Sequence, residues 1–402
     1  MAIHIKLAKT AKQIDDALRL RHEVFVIEDG KFGGAPLPEE RVLDRFDAFP
    51  YVYNIVAYDD NEPIATMRLI RDSGEGTPAD SIFDFGAYRR RATADLAAVG
   101  DDRCISPVFG SAGMLAVRRN WRRRRDVLRA MFRVSAAVCQ SSGATHIVVV
   151  VNHDTAAMYK RFRFSVLSEK FWSEEIGNFV TPLAATATGF HDWAFGTLPV
   201  TPLDDFKDSF ERMVLRAGEV VFHEGEPGDT AYIVDVGSVR VSREGIGGRQ
   251  LTLTHLSHGD LFGELALVDN EPRSATVTAV TDVELMTLDR AAFEGELRTN
   301  PSRSRELIKI FASRIREMDQ LALVLAFAAP RERLNYAIKL ARQRASEDAR
   351  RPGEAVFKGG PQELAQLAAV EHSVAERYLE KLADNGTIRI GKRQIRFLEA
   401  QY

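Results

Sequence analysis

The apolar pattern of this chain changes twice, and no single fold accommodates all three patterns. Up to about residue 190, strand and helix signals alternate. From 208 to about 298, short β-rich runs are punctuated by Gly218, Gly225, Gly228, Gly237, Gly247, Gly248 and Gly259, the mark of a small antiparallel barrel or jelly roll. From Ser302 to Phe327, Ile308, Phe311, Ile315, Met318, Ala322 and Leu325 recur every three or four residues, a heptad seam. The spacing therefore predicts a multidomain chain: an α/β unit over 1–195, a linker over 196–207 in the proline-marked "FGTLPVTPLDDF", a β-barrel over 208–298, a long helix over 299–329, and a helical domain with two short strands over 330–402.

Within the α/β unit, "IHIKLA", "YVYNIVAY", "EPIATMRLIR", "MLAV", "HIVVVV" and "RFSVLS" read as strands. "TAKQIDDALRLRHEVFV", "RDVLRAMFRVSAAVCQSSG" and "DTAAMYKRF" read as helices. The 402 residues, 45% apolar, suffice for two or three cores. The start has no signal-peptide apolar block, and no run approaches the ~18 apolar residues of a membrane span, so a cytoplasmic protein is expected. Cys104 and Cys139 are too few for a disulfide framework or a metal cluster, so no metal is expected. Net charge is −3, but unevenly spread: about +1 over 1–200, −8 over 201–330 and +4 over 331–402. Separate domains with separate partners fit that distribution.

Six of the eight residues from Arg118 to Arg125 are arginine. Nucleic acid, a phosphate-bearing cofactor, an acidic protein and plain solvent are all open as their partners. The block lies between a strand and a helix, a junction that presents backbone N–H groups to anions.

"FGELALVDNEPRSATVTA", Phe262 to Ala279, combines a carboxylate, an arginine and a close-approach glycine. A cyclic phosphate needs a guanidinium fork, and a ribose hydroxyl needs an acceptor. The stretch resembles the phosphate-binding cassette of cyclic-nucleotide-binding domains of Crp/Fnr-type regulators and cyclic-nucleotide-dependent kinases, as does "LRAGEVVFHEGEPGDTAYIVDVGSVRV" before it. The resemblance implies that Glu264 holds the ribose 2′-hydroxyl and Arg273 the phosphate, with Gly263, Leu265 and Ser274 around it. It implies a cyclic nucleotide as effector, cAMP favoured. Met318 and Asp319 stand where such regulators give small hydroxyls to the base, so adenine or guanine stays open. The seam suggests a parallel homodimer.

"PQELAQLAAVEHSVAERYLEKLADNGTIRIGKRQIRFLE" reads helix, turn, helix, β-wing, with Leu364, Leu367, Ala368, Val374, Tyr378, Leu379 and Leu382 as core. It resembles the Crp/Fnr-type winged helix-turn-helix, with a recognition helix over Ser373 to Leu382. That implies DNA contacts from His372, Ser373, Arg377, Lys392 and Arg393. Glu371, Glu376 and Glu380 on the same helix fit DNA poorly.

"MLAVRRNWRRRRDVLRAMF" and "VVVVNHDTAAMYKRFRF" resemble the donor-binding motifs of GNAT-type acyltransferases. "RLRHEVFVIEDGKF", "VLDRFDAF" and "IATMRLIR" resemble the N-acyl amino acid synthase and acyl-homoserine-lactone synthase branch. The resemblance implies an acyl donor, acyl-CoA or acyl carrier protein phosphopantetheine, held by Leu115, Val117, Arg122, Arg123, Arg124, Arg125, Val127 and Asn152. Tyr159 would protonate the leaving thiolate, and Arg21, Phe25, Asp44, Asp47 and Arg68 would line the amine and acyl sites. A strand bulge at Leu115–Ala116 would supply an oxyanion donor. Arg125 and Val127 replace the usual loop glycines, and Ser111 and Met114 replace a Glu and an Arg of the synthases, which leaves the general base unassigned. The expected function is a cyclic-nucleotide-regulated N-acyltransferase. The alternative is a Crp/Fnr-type cyclic-nucleotide-dependent transcription regulator with a fused acyltransferase-like sensor module.

Overall fold

The computed structural model describes residues 2–31, 40–98, 106–196, 211–245, 248, 250–299, 301–347, 351, 353–391 and 393–398. The expected linker falls almost entirely outside the described residues, as do Cys104, Gly247 and Lys392. The chain divides into two compact units, residues 1–200 with 205–214, and residues 201–204 with 215–402.

The first unit comprises β1 (Ile3–Leu7), α1 (Ala11–His22), β2 (Val52–Asp59), β3 (Glu62–Arg71), α2 (Gly86–Ala98), β4 (Phe109–Val117), α3 (Arg125–Ser141), β5 (His146–Asn152), α4 (Ala156–Arg161), β6 (Ser165–Val166), β7 (Phe171–Ser173), β8 (Asn178–Thr186), α5 (Ala187–Phe195) and most of β9 (Arg212–Leu215). Its strands run in the order β1-β2-β3-β4-β5-β8-β6, with β7 also on β8 and Arg212–Val214 of β9 on β1. Every pairing is antiparallel except β4 with β5.

Side-chain alternation along β5 builds two cores from one strand. Ile147, Val149 and Val151 join Val127, Met131 and Val134 of α3, while Val148 joins Phe85, Phe109 and Ala184. The run "HIVVVV", apolar at every position after its histidine, is therefore buried on both faces. Thr10 and Gln13 form a capping box that starts α1. The helix does not continue to Val26 as its periodicity predicts. It ends at His22 and passes into a π-helical turn, Glu23–Glu28. The strand β8 carries Pro182 opposite Val150, which masks its strand signal in the sequence.

The second unit holds the barrel strands β10 (Val220–Phe222), β11 (Thr230–Val236), β12 (Val239–Glu244), β13 (Gln250–Leu256), β14 (Leu261–Phe262), β15 (Thr276–Ala279) and β16 (Val283–Asp289). Between β14 and β15 lies the short α6 (Leu265–Val268). One barrel sheet contains β14, β11 and β16, and the other runs β10-β15-β12-β13. Then follow α7 (Arg290–Thr299) and the long α8 (Pro301–Phe327). The winged helix has α9 (Pro330–Gln343), β17 (Ser346–Glu347), β18 (Ala355–Phe357), α10 (Pro361–Leu367), α11 (His372–Asp384), β19 (Ile388–Gly391) and β20 (Gln394–Phe397). All seven residues expected in its core pack there, joined by Leu334 and Ala337 of α9 and Phe357 of β18. The strands β17 and β18 extend the wing into a four-stranded sheet that the sequence pattern did not show.

Candidate functional site

The first unit is opened by a defect in its own sheet. The strands β4 and β5 pair only through Phe109, Gly110 and Ser111, and beyond Ser111 their ladder stops. On its other side β4 slips: Thr66 faces Ala116 but Arg68 faces Gly113, so Met114 and Leu115 together oppose Met67. The bulge thus lies at Met114–Leu115, one residue before the expected place. Met114 takes φ +50°, left-handed backbone that a side chain rarely adopts. Strain of this kind persists only where surrounding structure holds it, and it gathers at functional sites.

At the level of the bulge sits a charged cluster. Arg68 is in register with Gly113 on one side and Asn54 on the other. Its guanidinium donates to Asp44 at 2.8 and 2.7 Å and to Asp47 at 2.6 Å. Arg21, fully buried on α1, donates to Asp47 at 2.9 Å and to the Asn54 side-chain oxygen. Asp44 and Asp47 also cap the short turn Arg45–Ala48 between them. Two guanidinium groups and two carboxylates cancel in charge. Burial acts to raise the Asp47 pKa, but Arg21 and Arg68 outweigh it and hold the carboxyl below its ordinary range. The side chain of Asp44, 33% exposed, is the rim of the cluster. The structure therefore brings together four of the residues expected at the amine and acyl sites, as a largely self-satisfied lattice.

Four of the six arginines of the block are tied within the same unit. Arg118 pairs with Glu23 at 2.9 Å and with Glu62. The Arg119 backbone N–H donates to the Glu28 carboxylate at 3.0 Å, and Arg122 reaches Glu28 at 3.0 Å and Asp29 at 2.8 Å. Arg124 clamps Asp126 at 2.6 Å. Asp126 takes the Val127 N–H, so a carboxylate already occupies the first turn of α3. Val127, expected near the donor, is buried in the core beneath that turn. Arg123, Arg125 and Arg129 stay exposed, with no ion-pair partner among the described residues.

The Tyr159 ring is 5% exposed and packs edge-on against Phe132 and Phe164 at 5.6 and 5.5 Å. Burial raises its phenol pKa, which keeps the proton on. Asn152 ends β5, and its carbonyl accepts the Thr155 hydroxyl. Leu115 and Val117 lie half-buried against the α3 core. His146 is pressed against Phe109 at the closed end of the β4–β5 split, and His153 is held by Thr181 at 2.9 Å.

In the second unit, Gly263 follows β14 with φ +74°, and a Cβ there would come within 2.8 Å of an Arg273 nitrogen. Only glycine permits that approach. The Glu264 carboxylate is 1% exposed. One of its oxygens takes Arg314 of α8 at 2.5 Å, and the other is buried with no partner. Burial raises the Glu264 pKa against the pull of Arg314. Arg273 donates to Gly263 O at 2.7 Å and Thr230 O at 2.8 Å, lies 4.2 Å over Phe222, and leaves its Nε unpartnered. Leu265 and Ser274 are exposed beside them. An orphaned acceptor on Glu264 and an orphaned donor on Arg273 are what a ribose hydroxyl and a cyclic phosphate would satisfy. Arg314 lies off the heptad seam, and apolar spacing carries no sign of what a polar residue on α8 touches.

On the winged helix, His372, Ser373 and Arg377 are exposed on α11, among exposed Glu371, Glu376 and Glu380. His372 faces Glu376 at 3.9 Å, and the Arg377 Nε turns back to Ser373 O at 3.1 Å. Arg389 and Arg396 of the wing both reach Glu354 at 3.3 Å, while Arg393 is exposed. On α8, Ile308, Ile315 and Met318 of the seam are 65%, 60% and 58% exposed.

Residues 16–186 match the N-acyl amino acid synthase FeeM family, and residues 212–300 match the cyclic nucleotide-binding domain family. The cyclic AMP receptor protein of Thermus thermophilus is 35% identical over 192 residues, 48% of this chain and 85% of that protein. A CRP-like cAMP-activated global transcriptional regulator of Mycobacterium tuberculosis is 30% identical over 173 residues, 43% of this chain and 77% of that protein. The solved Thermus thermophilus catabolite activator protein is matched at 35% identity over 47% of this chain and 85% of that one, with a TM-score of 0.28. No helix among the described residues is long and apolar enough to cross a membrane, and no cluster of potential metal ligands occurs among them. The chain belongs to the Crp family through its second unit, and residues 16–186 ahead of it match the N-acyl amino acid synthase FeeM family model.

Proposed function

We propose that this chain is a GNAT-type N-acyltransferase whose activity is set by a cyclic nucleotide, with acyl carrier protein as donor and an amine as acceptor. The observation that carries the reading is the split of β4 from β5 beyond Ser111, with the Met114–Leu115 bulge at its mouth. Two strand edges that no longer pair with each other leave room for the amide-rich pantetheine arm to hydrogen-bond as a strand would. An amine attacks the thioester carbonyl there, the C–N bond forms as the C–S bond breaks, Tyr159 protonates the departing thiolate, and the proton the amine gives up passes to water and restores the phenol. The cluster of Arg21, Asp44, Asp47 and Arg68 fixes the floor beside the acceptor. Acyl carrier protein is favoured over CoA because the α3 turn already holds Asp126, while Arg123, Arg125 and Arg129 offer an acidic protein a free ridge.

The roles divide by region: transfer in 1–195, nucleotide sensing in 208–298, dimerisation by the exposed seam of 299–329, and a winged helix in 330–402. Glu264, Gly263, Leu265, Arg273, Ser274 and, newly, Arg314 surround the nucleotide, cAMP before cGMP. Cytoplasmic action accords with the free, buried Cys139. Release of thiol from acyl-carrier-protein and CoA thioesters, with and without cAMP, tests the reading. Turnover of the carrier-protein thioester that changes on adding cAMP supports it. No cleavage with any amine overturns it and leaves the second reading, a nucleotide-dependent regulator of transcription. The exposed Arg377 favours that alternative, and a mobility shift at low salt tests it.

A further inference from the structure

Five consecutive residues, Asp260 to Glu264, are gripped by three arginines from three different places in the fold. Arg273, just before β15, donates to Gly263 O at 2.7 Å. Arg314 of α8 donates to the Leu261 carbonyl and to the Glu264 carboxylate. Arg344, which closes the C-terminal end of α9, donates to the Asp260 carboxylate at 2.9 Å and lies 3.8 Å from Glu317. Arg314 and Glu317 are a helical turn apart on α8. Two ion-paired groups thus flank the segment, Arg314 with Glu264 at one end and Arg344 with Asp260 and Glu317 at the other. The helix α9 is part of the winged-helix core through Leu334, Ala337 and Ala341. Arg344 is consequently a charged contact by which the winged helix holds the segment leading into the cassette, beside two contacts with the barrel: Arg240 of β12, which donates to Gln366 of α10 at 2.8 Å, and Phe357 against His255.

This joint is imperfectly packed. A cavity of about 30 Å³ lies in it, lined by His255, Glu317, Tyr336, Arg344 and Phe357 among others, and the buried His255 Nε2 has no partner. Such a space holds roughly one or two waters, unlike a close-packed core. The joint combines the Arg344 ion pairs with an apolar lining of Leu253, Leu321, Leu340, Phe357 and Leu367 that does not close around the void, so part of the apolar contact is missing.

We infer that Arg344 is a latch that holds the winged helix against the cassette in the nucleotide-free chain, and that cyclic-nucleotide binding competes with it. Arg273 spends its guanidinium on Gly263 O and Thr230 O. A phosphate that draws Arg273 away frees the Gly263 carbonyl, and left-handed Gly263 lets the segment turn. Asp260, three residues upstream, then loses its register with Arg344. The inference rests on the reading that the cassette binds a cyclic nucleotide. Linkage requires the converse: weakening the latch must tighten nucleotide binding.

The test uses the full chain, Arg344→Gln, Asp260→Asn and the charge-keeping Arg344→Lys. Calorimetry measures cAMP affinity, and hydrogen exchange measures protection of α9 and α10. Arg344→Gln and Asp260→Asn are each expected to bind cAMP about fivefold or more tightly, with Arg344→Lys near the parent. Bound cAMP is expected to lower α9 and α10 protection in the parent to the level of nucleotide-free Arg344→Gln, and to change little in that variant. Unchanged or weaker affinity in both folded variants overturns the latch, as does parent protection that bound cAMP leaves alone. If no protein binds cAMP, the nucleotide reading itself fails. Exchange in nucleotide-free Arg344→Gln then still decides whether the latch exists: faster exchange in α9 and α10 supports it, and parent-like exchange overturns it.

Discussion

The charged cluster of the first unit and the cassette of the second use the same side chains to opposite ends. Arg21, Arg68, Asp44, Asp47 and Asn54 use up one another's bonding capacity almost completely, leaving only the Arg21 Nε without a partner. Glu264 and Arg273 are also buried and also bonded, yet one carboxylate oxygen and one guanidinium nitrogen are left over, the nitrogen beside the bare backbone of Gly228. A buried polar atom without a partner costs about 1–3 kcal/mol. A cluster that carries the penalty at a single atom, and spends every carboxylate on its own arginines, is built to hold its own shape. A site that carries the penalty is built to have it relieved by something else.

The largest expected effect separates the two by stability. Replacing Asp47 with Ala leaves Arg21 only the neutral Asn54 side chain and Arg68 only Asp44, and breaking a buried pair from one side costs about 3–5 kcal/mol. Chemical denaturation of the first unit should show the loss as a lower midpoint with little change in slope. Glu264→Gln relieves a buried charge and should leave stability within about 1 kcal/mol of the parent. Equal losses at the two positions would erase the distinction between a structural cluster and a ligand site.

Next in size is binding. Arg273→Gln removes a charge-assisted contact of about 1.5–3 kcal/mol, a factor of roughly ten to a hundred or more in cAMP affinity by calorimetry. The nucleotide-free protein should lose about 1–3 kcal/mol at the same time, because Arg273 also donates to Gly263 O and Thr230 O and lies over Phe222, so affinity is compared at a temperature where both proteins are folded. An affinity that survives would show that the orphaned atoms answer to something other than a cyclic phosphate.

A third comparison is in pH. The folded pKa of Asp47 is depressed, so its contribution is present above the unfolded value of about 4 and is lost as pH falls through the folded one. The folded pKa of Glu264 is raised, so its contribution is present below about 4.3 and is lost as pH rises through the folded one. Between pH 3 and 6, the stability difference between the parent and Asp47→Asn should therefore grow with pH, while that between the parent and Glu264→Gln should shrink. Parallel slopes would mean that the two carboxylates share one environment.

The sequence exposed these regions unevenly, for physical reasons. Glycine-timed turns and the pair Glu264 and Arg273 are local in the chain, so a β-barrel with those two side chains near each other is legible in the sequence. The heptad seam was equally local, and its exposed Ile308, Ile315 and Met318 show a face ready for a partner. Arg314 was hidden because it reaches the pocket across some 50 residues of chain, and spacing on α8 says nothing of what a polar residue touches. The cluster around Arg68 was located by resemblance, but its mutual satisfaction depends on the register of β2 with β3, which no short motif encodes. The strands β7, β8 and β18 were missed where the period-two signal was short or broken by proline.

The smallest expected effect concerns the arginine block, where the same contrast recurs at the surface. Arg118, Arg119, Arg122 and Arg124 are bound to Glu23, Glu28, Asp29, Glu62 and Asp126, whereas Arg123, Arg125 and Arg129 are not. Free surface cations steer an acidic partner while contributing little to stability. Replacing all three by Gln should raise KM for an acyl carrier protein thioester severalfold at low salt, with kcat preserved, and the gap should close as ionic strength shortens the Debye length from about 10 Å at 0.1 M. The same substitutions should hardly affect KM for a pantetheine thioester that lacks the protein, because that donor presents no acidic surface. Equal loss with both donors would move the ridge from docking the carrier to gripping its arm, and would place the free arginines with Glu264 and Arg273 among the groups that wait for a ligand.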